Sequence, residues 1–177
     1  MKNVFTISVC LLICILSAPV LAQKTAGEHV DDPLMTARVK MALLENSVSD
    51  ATDINVETSR GIVQLAGFVG SESTKATAGK IAAATDGVGG VSNRLKVYTE
   101  KRSIGKALDD TILASKVKLK LVEKDSGTAA KINVEVRAGV VELSGFVYSY
   151  EDRDTAVTLV SGIAGVKDVI NSIDITR

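Results

Sequence analysis

One histidine, two cysteines and two pairs of adjacent aspartates are the residues of this 177-residue chain from which chemistry would have to be built. His29 could act as a general base, yet no Gly-x-Ser-x-Gly, His-Glu-x-x-His or Walker-type loop accompanies it. A solvated histidine in a polar lead-in is the reading its surroundings support. Asp31-Asp32 and Asp109-Asp110 could begin a metal site, but no histidine or further carboxylate recurs beside both pairs. Carboxylates at a helix start, where the macrodipole favours them, account for each pair. Gly87-Val88-Gly89-Gly90 has the composition of a phosphate cradle. It falls between an expected helix and an expected strand, whereas phosphate loops run from strand to helix. No catalytic residue, metal ligand or cofactor is expected, and the chain reads as a non-enzyme.

Cys10 and Cys14 lie in a segment that reads as an export signal. Lys2 gives it a positive start, residues 4–16 are apolar, and Ser17-Ala18-Pro19-Val20-Leu21-Ala22 supplies small residues suited to cleavage after Ala22. An uncleaved anchor is the rival reading, but the apolar run is short for a span of about 20 residues. Val9 and Ile13 precede the cysteines, where a lipid-attachment signal needs a small residue. The expected product is exported, not a lipoprotein, and without thiol, disulfide or cysteine metal site. From residue 23 onward it carries 20 basic and 21 acidic side chains, which is no electrostatic footprint for nucleic acid. With three Phe, three Tyr and no Trp, its cores must be aliphatic.

The elements that carry these residues come in duplicate. Residues 31–99 return at 109–177 without a gap, an offset of 78 positions. Ile54-Asn55-Val56-Glu57 returns as Ile132-Asn133-Val134-Glu135, and Gly61-Ile62-Val63-Gln64-Leu65 as Gly139-Val140-Val141-Glu142-Leu143. One small domain has been duplicated with its loops intact.

Met35, Val39 and Leu43, like Leu113, Val117 and Leu121, recur every fourth residue and predict a first helix. Ile54, Val56 and Thr58, or Ile132, Val134 and Val136, alternate along a strand. Gly61 and Gly139 supply the positive φ of a hairpin turn. Val63 and Leu65, or Val141 and Leu143, return on one face while Gln64 and Glu142 point away. Gly67 and Gly145 mark a bulge or a helix packed closely on backbone. Ser71 and Ser149 cap a second helix that buries Ala78, Ile81 and Ala82, or Ala156, Leu159, Val160 and Ile163. Gly87 and Gly165 end it. Val91, Leu95 and Val97, or Val169, Ile173 and Ile175, form a last strand, in which Asn93 and Asn171 bond to local backbone. The predicted fold is α+β: two tandem α-β-β-α-β domains, each a small three-stranded sheet with two helices on one face. Its boundaries are a signal peptide at 1–22, a polar lead-in at 23–30, a first domain at 31–99, a linker at 100–108 and a second domain at 109–177.

Val63-x-Leu65-x-Gly67-x-Val69 followed by Gly87-Val88-x-x-Val91-x-Asn93-x-Leu95 resembles the BON domain of bacterial envelope proteins. The second copy repeats it as Val141-x-Leu143-x-Gly145-x-Val147, then Gly165-Val166-x-x-Val169-x-Asn171-x-Ile173. The whole chain is similar to the osmotically inducible periplasmic protein Y family, which has a signal peptide and two BON domains. That resemblance implies a periplasmic protein of envelope or osmotic stress. It also implies roles in phospholipid binding and in escorting unfolded envelope proteins. A related group carries a lipid-attached cysteine after its signal, which this sequence lacks.

A second apolar row runs along the first helix of each copy: Leu34, Met41 and Leu44, then Ile112, Leu119 and Val122. At about 100° per residue it lies about 120–140° from the buried stripe, too far for one face to cover both. Either the neighbouring helix covers it, or it is an exposed groove that meets the other domain, a lipid surface or an unfolded client. Differences between the copies favour the second as the contact surface. Its helix reads Lys116-Val117-Lys118-Leu119-Lys120, and Tyr148 and Tyr150 replace Gly70 and Glu72. Ile112, Lys116, Lys118, Leu119, Lys120, Tyr148 and Tyr150 are therefore candidate contacts for an anionic phospholipid or membrane surface. Lysines on an ordinary solvated helix look much the same. The expectation is a non-enzymatic protein that binds phospholipid surfaces or exposed apolar segments of unfolded envelope proteins, and no nucleic acid. The alternative is a protein-binding module without lipid, either a chaperone-like holdase or an envelope-complex accessory. Both domains could engage one surface together only if the linker Glu100–Lys106 allows it.

Overall fold

The computed structural model describes residues 32–48, 50–100 and 103–176; the expected export signal, both cysteines, His29 and Asp31 lie outside them. Helix α1 (Asp32–Glu45) buries Met35, Val39 and Leu43, one residue per turn. After a single 3-10 turn (Ala51–Asp53), strands β1 (Ile54–Ser59) and β2 (Ile62–Val69) form an antiparallel hairpin. Both central residues of its turn have positive φ, Arg60 at 52° and Gly61 at 77°, which matches the twist of the flanking strands. Helix α2 (Glu72–Ala84) starts at Ser71, whose hydroxyl accepts the Thr74 N–H at 3.0 Å. Strands β3 (Gly90–Asn93) and β4 (Lys96–Val97) then run parallel to β2.

The second half repeats this plan with α3 (Ile104–Lys124), the short α4 (Ser126–Ala129), β5 (Ile132–Arg137), β6 (Val140–Val147), α5 (Tyr150–Ser161) and β7 (Asp168–Ile175). The class is α+β, and β2 or β6 is the central strand of each sheet. Each half has its own aliphatic core between helices and sheet, around Val39, Val56 and Leu65 in one and Val117, Val134 and Leu143 in the other. Each such side chain contributes about 1.5–3 kcal/mol through burial.

Local geometry departs from the sequence expectation in several places. The last strand of the first domain is split, giving a four-stranded sheet. There the Arg94 N–H reaches Leu65 at 2.7 Å and the Leu95 N–H turns back to the Asn93 amide at 3.3 Å. Asn171 makes the same bond to Ile173 at 3.0 Å, yet β7 stays whole. Helix α3 begins at Ile104, capped by Ser103, so residues 104–108 are helical and Asp109-Asp110 lies inside the helix. Asp32 does stand in the first turn of α1, but both Asp32 and Asp110 also clamp a hairpin turn. Asp32 accepts the Arg60 and Gly61 amides at 2.7 and 2.9 Å, and buried Asp110 accepts those of Ala138 and Gly139 at 3.0 and 3.1 Å.

The glycines after the strand cores also find an unexpected neighbour. A Cβ on Gly67 or Gly145 would collide with the carbonyl oxygen of Asp53 or Lys131, the backbone entering β1 or β5, not with a helix. Helices α2 and α5 end at Ala84 and Ser161, before Gly87 and Gly165 are reached; these glycines turn the chain into the last strand at φ 91° and 104°.

The two sheets pack on each other through the faces that the helices leave bare. Residues 64, 66 and 68 of β2 point away from their own core, and Gln64, Ala66 and Phe68 are all buried. Gln64 Oε1 accepts the Gly145 N–H at 2.7 Å, and Glu142 Oε2 accepts the Gly67 N–H at 2.8 Å. Because 142 and 145 are the repeats of 64 and 67, one bond is made twice, once in each direction. The Gln64 amide nitrogen also donates to the Ser172 carbonyl at 2.9 Å and to Asp174 at 2.7 Å. Arg94 pairs with Asp174 at 2.6 Å, and the Asn133 amide donates to Glu57 at 3.1 Å. The layers therefore run helices, sheet, sheet, helices, with a polar seam between two apolar cores.

Candidate functional site

The second apolar row is uncovered in both halves. Leu34, Met41 and Leu44 on α1 and Ile112, Leu119 and Val122 on α3 are 48–61% exposed. The expected cover by the neighbouring helix is absent: these side chains stay exposed although α2 packs on α1 and α5 on α3. Only Ile112 borders the other domain, in a hollow it shares with Tyr98; the rest of each row lies away from it, since the sheets separate the two helix layers. The longer α3 extends its row toward the N-terminus with Leu108 and Ile104, 61% and 92% exposed. At about 100° per residue each row centres opposite Val39 or Val117, further round the helix than the expected 120–140°. Arg38 and Lys40 lie about 100° to either side of Val39, and Lys116 and Lys118 do the same around Val117.

Each row is thus edged by one cation on each flank, and none of the four cations forms an ion pair among the described residues. Arg38 and Lys40, the repeat equivalents of Lys116 and Lys118, were not among the expected contacts. Their signal in the sequence is their place on either side of Val39, one residue before it and one after. Lys120 lies closer to the core side and pairs with Glu123 at 2.7 Å. It stands apart from the row. Chemically, such a strip offers apolar burial along its middle and a cation on each edge, with Glu45 or Glu123 also on the Arg38 or Lys116 side. Among the described residues no group of three or more histidine, cysteine, aspartate or glutamate side chains could hold a metal ion. Nor is any described helix long and apolar enough to cross a membrane.

The model of the BON domain family matches residues 31–98 and matches again at 109–177. The chain belongs to the BON-domain family. It is similar to the osmotically-inducible protein Y of Escherichia coli (strain K12), 37% identical over 148 residues, covering 83% of this chain and 74% of that one. A 21 kDa hemolysin of Actinobacillus pleuropneumoniae is 28% identical over 152 residues, covering 85% and 77%. The outer membrane lipoprotein DolP of Haemophilus influenzae is 35% identical over 91 residues, covering 50% and 47%.

In the second BON domain the tyrosines part from the lysine row. Tyr148 lies beneath Lys131, whose Nζ is 3.9 Å from the ring centroid. Tyr150 sits beside Arg153 and lines a hollow at the seam between the BON domains with Ser59, Arg94 and Asp174. The tyrosine that shares a hollow with Lys116 and Ile112 is Tyr98, at the end of the first BON domain; that hollow has a volume of about 530 Å³. The seam itself holds one perturbed carboxyl. Burial between the BON domains pushes the Glu142 carboxyl above the usual glutamate range, against the Ser172 hydroxyl, the Gly67 N–H and Lys96, while Glu135 adds to the rise.

Proposed function

We propose that this BON-domain protein is a non-enzymatic envelope protein of osmotic stress that adsorbs to anionic phospholipid bilayers through the rows on α1 and α3. The supporting observation is the exposure of large apolar side chains with a cation on each flank, repeated in both domains. Isolated exposed apolar residues are ordinary, but an ordered row along a helix needs a partner. Apolar contact contributes about 25 cal/mol per Å² removed from water. Each Lys or Arg held near an anionic surface adds about 1 kcal/mol. The relatives support the same direction: one is named as osmotically inducible, one as a hemolysin and one as an outer membrane lipoprotein. Export through residues 1–22 and residence in the periplasm belong to this proposal.

Co-sedimentation of residues 23–177 with vesicles tests it, using phosphatidylcholine alone or mixed with phosphatidylglycerol. Binding should require the anionic lipid and weaken with salt, because exposed charges are screened beyond about 10 Å at 0.1 M ionic strength. The variant Arg38→Glu/Lys40→Glu/Lys116→Glu/Lys118→Glu should lose more than about tenfold in affinity. So should Met41→Asp/Leu119→Asp. Binding of unfolded protein at any salt, with no sedimentation on anionic vesicles, would replace this reading with the holdase.

A further inference from the structure

The two rows face opposite ways. Helices α1 and α3 belong to the two outer layers of the molecule, and each row lies on the side of its helix away from the sheet. A flat bilayer that touches Leu34, Met41 and Leu44 is separated from Ile112, Leu119 and Val122 by both sheets and both helix layers. The seam fixes this arrangement. Gln64 and Glu142 exchange bonds with the backbone of Gly145 and Gly67, and the polar groups are buried, so the domains are not free to swing both rows to one side.

Resting on the lipid reading above, we propose that the protein bridges two anionic bilayers, one row bound to each. The occupant is the same at both ends because the chemistry is the same at both ends. Leu34 and Ile112, Met41 and Leu119, Leu44 and Val122, Arg38 and Lys116, and Lys40 and Lys118 are equivalent positions of the repeat, and each pair keeps its apolar or basic character. Tandem domains on a flexible linker would instead raise affinity for one surface. Docked back to back, they gain little there and connect two surfaces.

Light scattering by vesicles containing phosphatidylglycerol tests this, with sedimentation run on the same samples. Residues 23–177 should cluster the vesicles at low salt and release them at high salt. Arg38→Glu/Lys40→Glu/Met41→Asp and Lys116→Glu/Lys118→Glu/Leu119→Asp each remove one row, on exposed positions that leave the cores intact. Each should still sediment with vesicles, with affinity within about threefold of the wild type, since one of two sites persists and RT ln 2 is a small difference. Neither should cluster them. Wild-type protein that sediments without clustering would overturn the bridge and leave the lipid reading standing. Clustering retained by either one-row variant would also overturn it, because self-association of the protein would then be the cause. No sedimentation by the wild type would overturn the lipid reading itself.

Discussion

Position 64 carries an amide where its repeat, position 142, carries a carboxyl, and both side chains do the same task of holding the other domain's backbone. The amide is the easier solution. Gln64 accepts with Oε1 and donates with Nε2 to Ser172 and Asp174, so its polar atoms are paired without net charge. Glu142 brings a charge into a buried seam, and burial raises its pKa. The folded, docked protein therefore binds that proton more readily than the unfolded chain does. Its contribution is fully present below the ordinary glutamate pKa of about 4.3 and is lost as pH rises through the raised value. Glu142→Gln should raise the melting temperature at about pH 7 and remove this part of the pH slope. Thermal melts of both proteins from about pH 4 up to neutral pH check it. A variant that melts lower at about pH 7 with an unchanged slope would show that the Glu142 charge is stabilising.

At the scale of elements, the hairpin turns show what two similar sequences can afford to vary. Both need positive φ at their first central residue, where one has Arg60 and the other Ala138, at 52° and 53°. Left-handed backbone costs a residue with a Cβ about 1–2 kcal/mol, and asparagine tolerates it better. Ala138→Asn should stabilise the protein by about 0.5–1 kcal/mol, read from urea unfolding at constant m-value. No gain would mean that the Asp110 clamp on Ala138 and Gly139 already offsets the strain.

The element order was legible because its signals are local: apolar residues every fourth position for α1 and α3, alternation for the strands, and serine caps at Ser71 and Ser149. The beginning of α3 was not, since residues 104–108 precede the repeated stretch 109–177 and so have no second copy in sequence against which to read them. The aspartate clamp was hidden for a different reason. Asp32 and Asp110 bond to amides 28 and 29 residues away, and a one-dimensional pattern cannot distinguish that from helix-start chemistry.

At the scale of the molecule, the sequence concealed the docking because the seam is polar. Gln64, Glu142, Ser144 and Ser172 alternate with apolar residues along their strands, which is also how a solvated sheet face reads. Phe68 and Phe146 on that face were the available hint. The candidate surface was half legible: Ile112, Leu119, Lys116 and Lys118 share one exposed strip, whereas Lys120, Tyr148 and Tyr150 stand apart from it. Docking decides which surfaces remain for anything else, so everything about the outward rows depends on it. Hydrogen exchange of the Gly67 and Gly145 amides in residues 23–177 tests it directly, because each donates to a side chain of the other domain. Both should exchange slowly in the intact protein, and the Gly67 amide proton should shift as Glu142 titrates. Exchange at both sites as fast as at solvent-exposed Gly105, with no such titration, would mean that the domains stand apart.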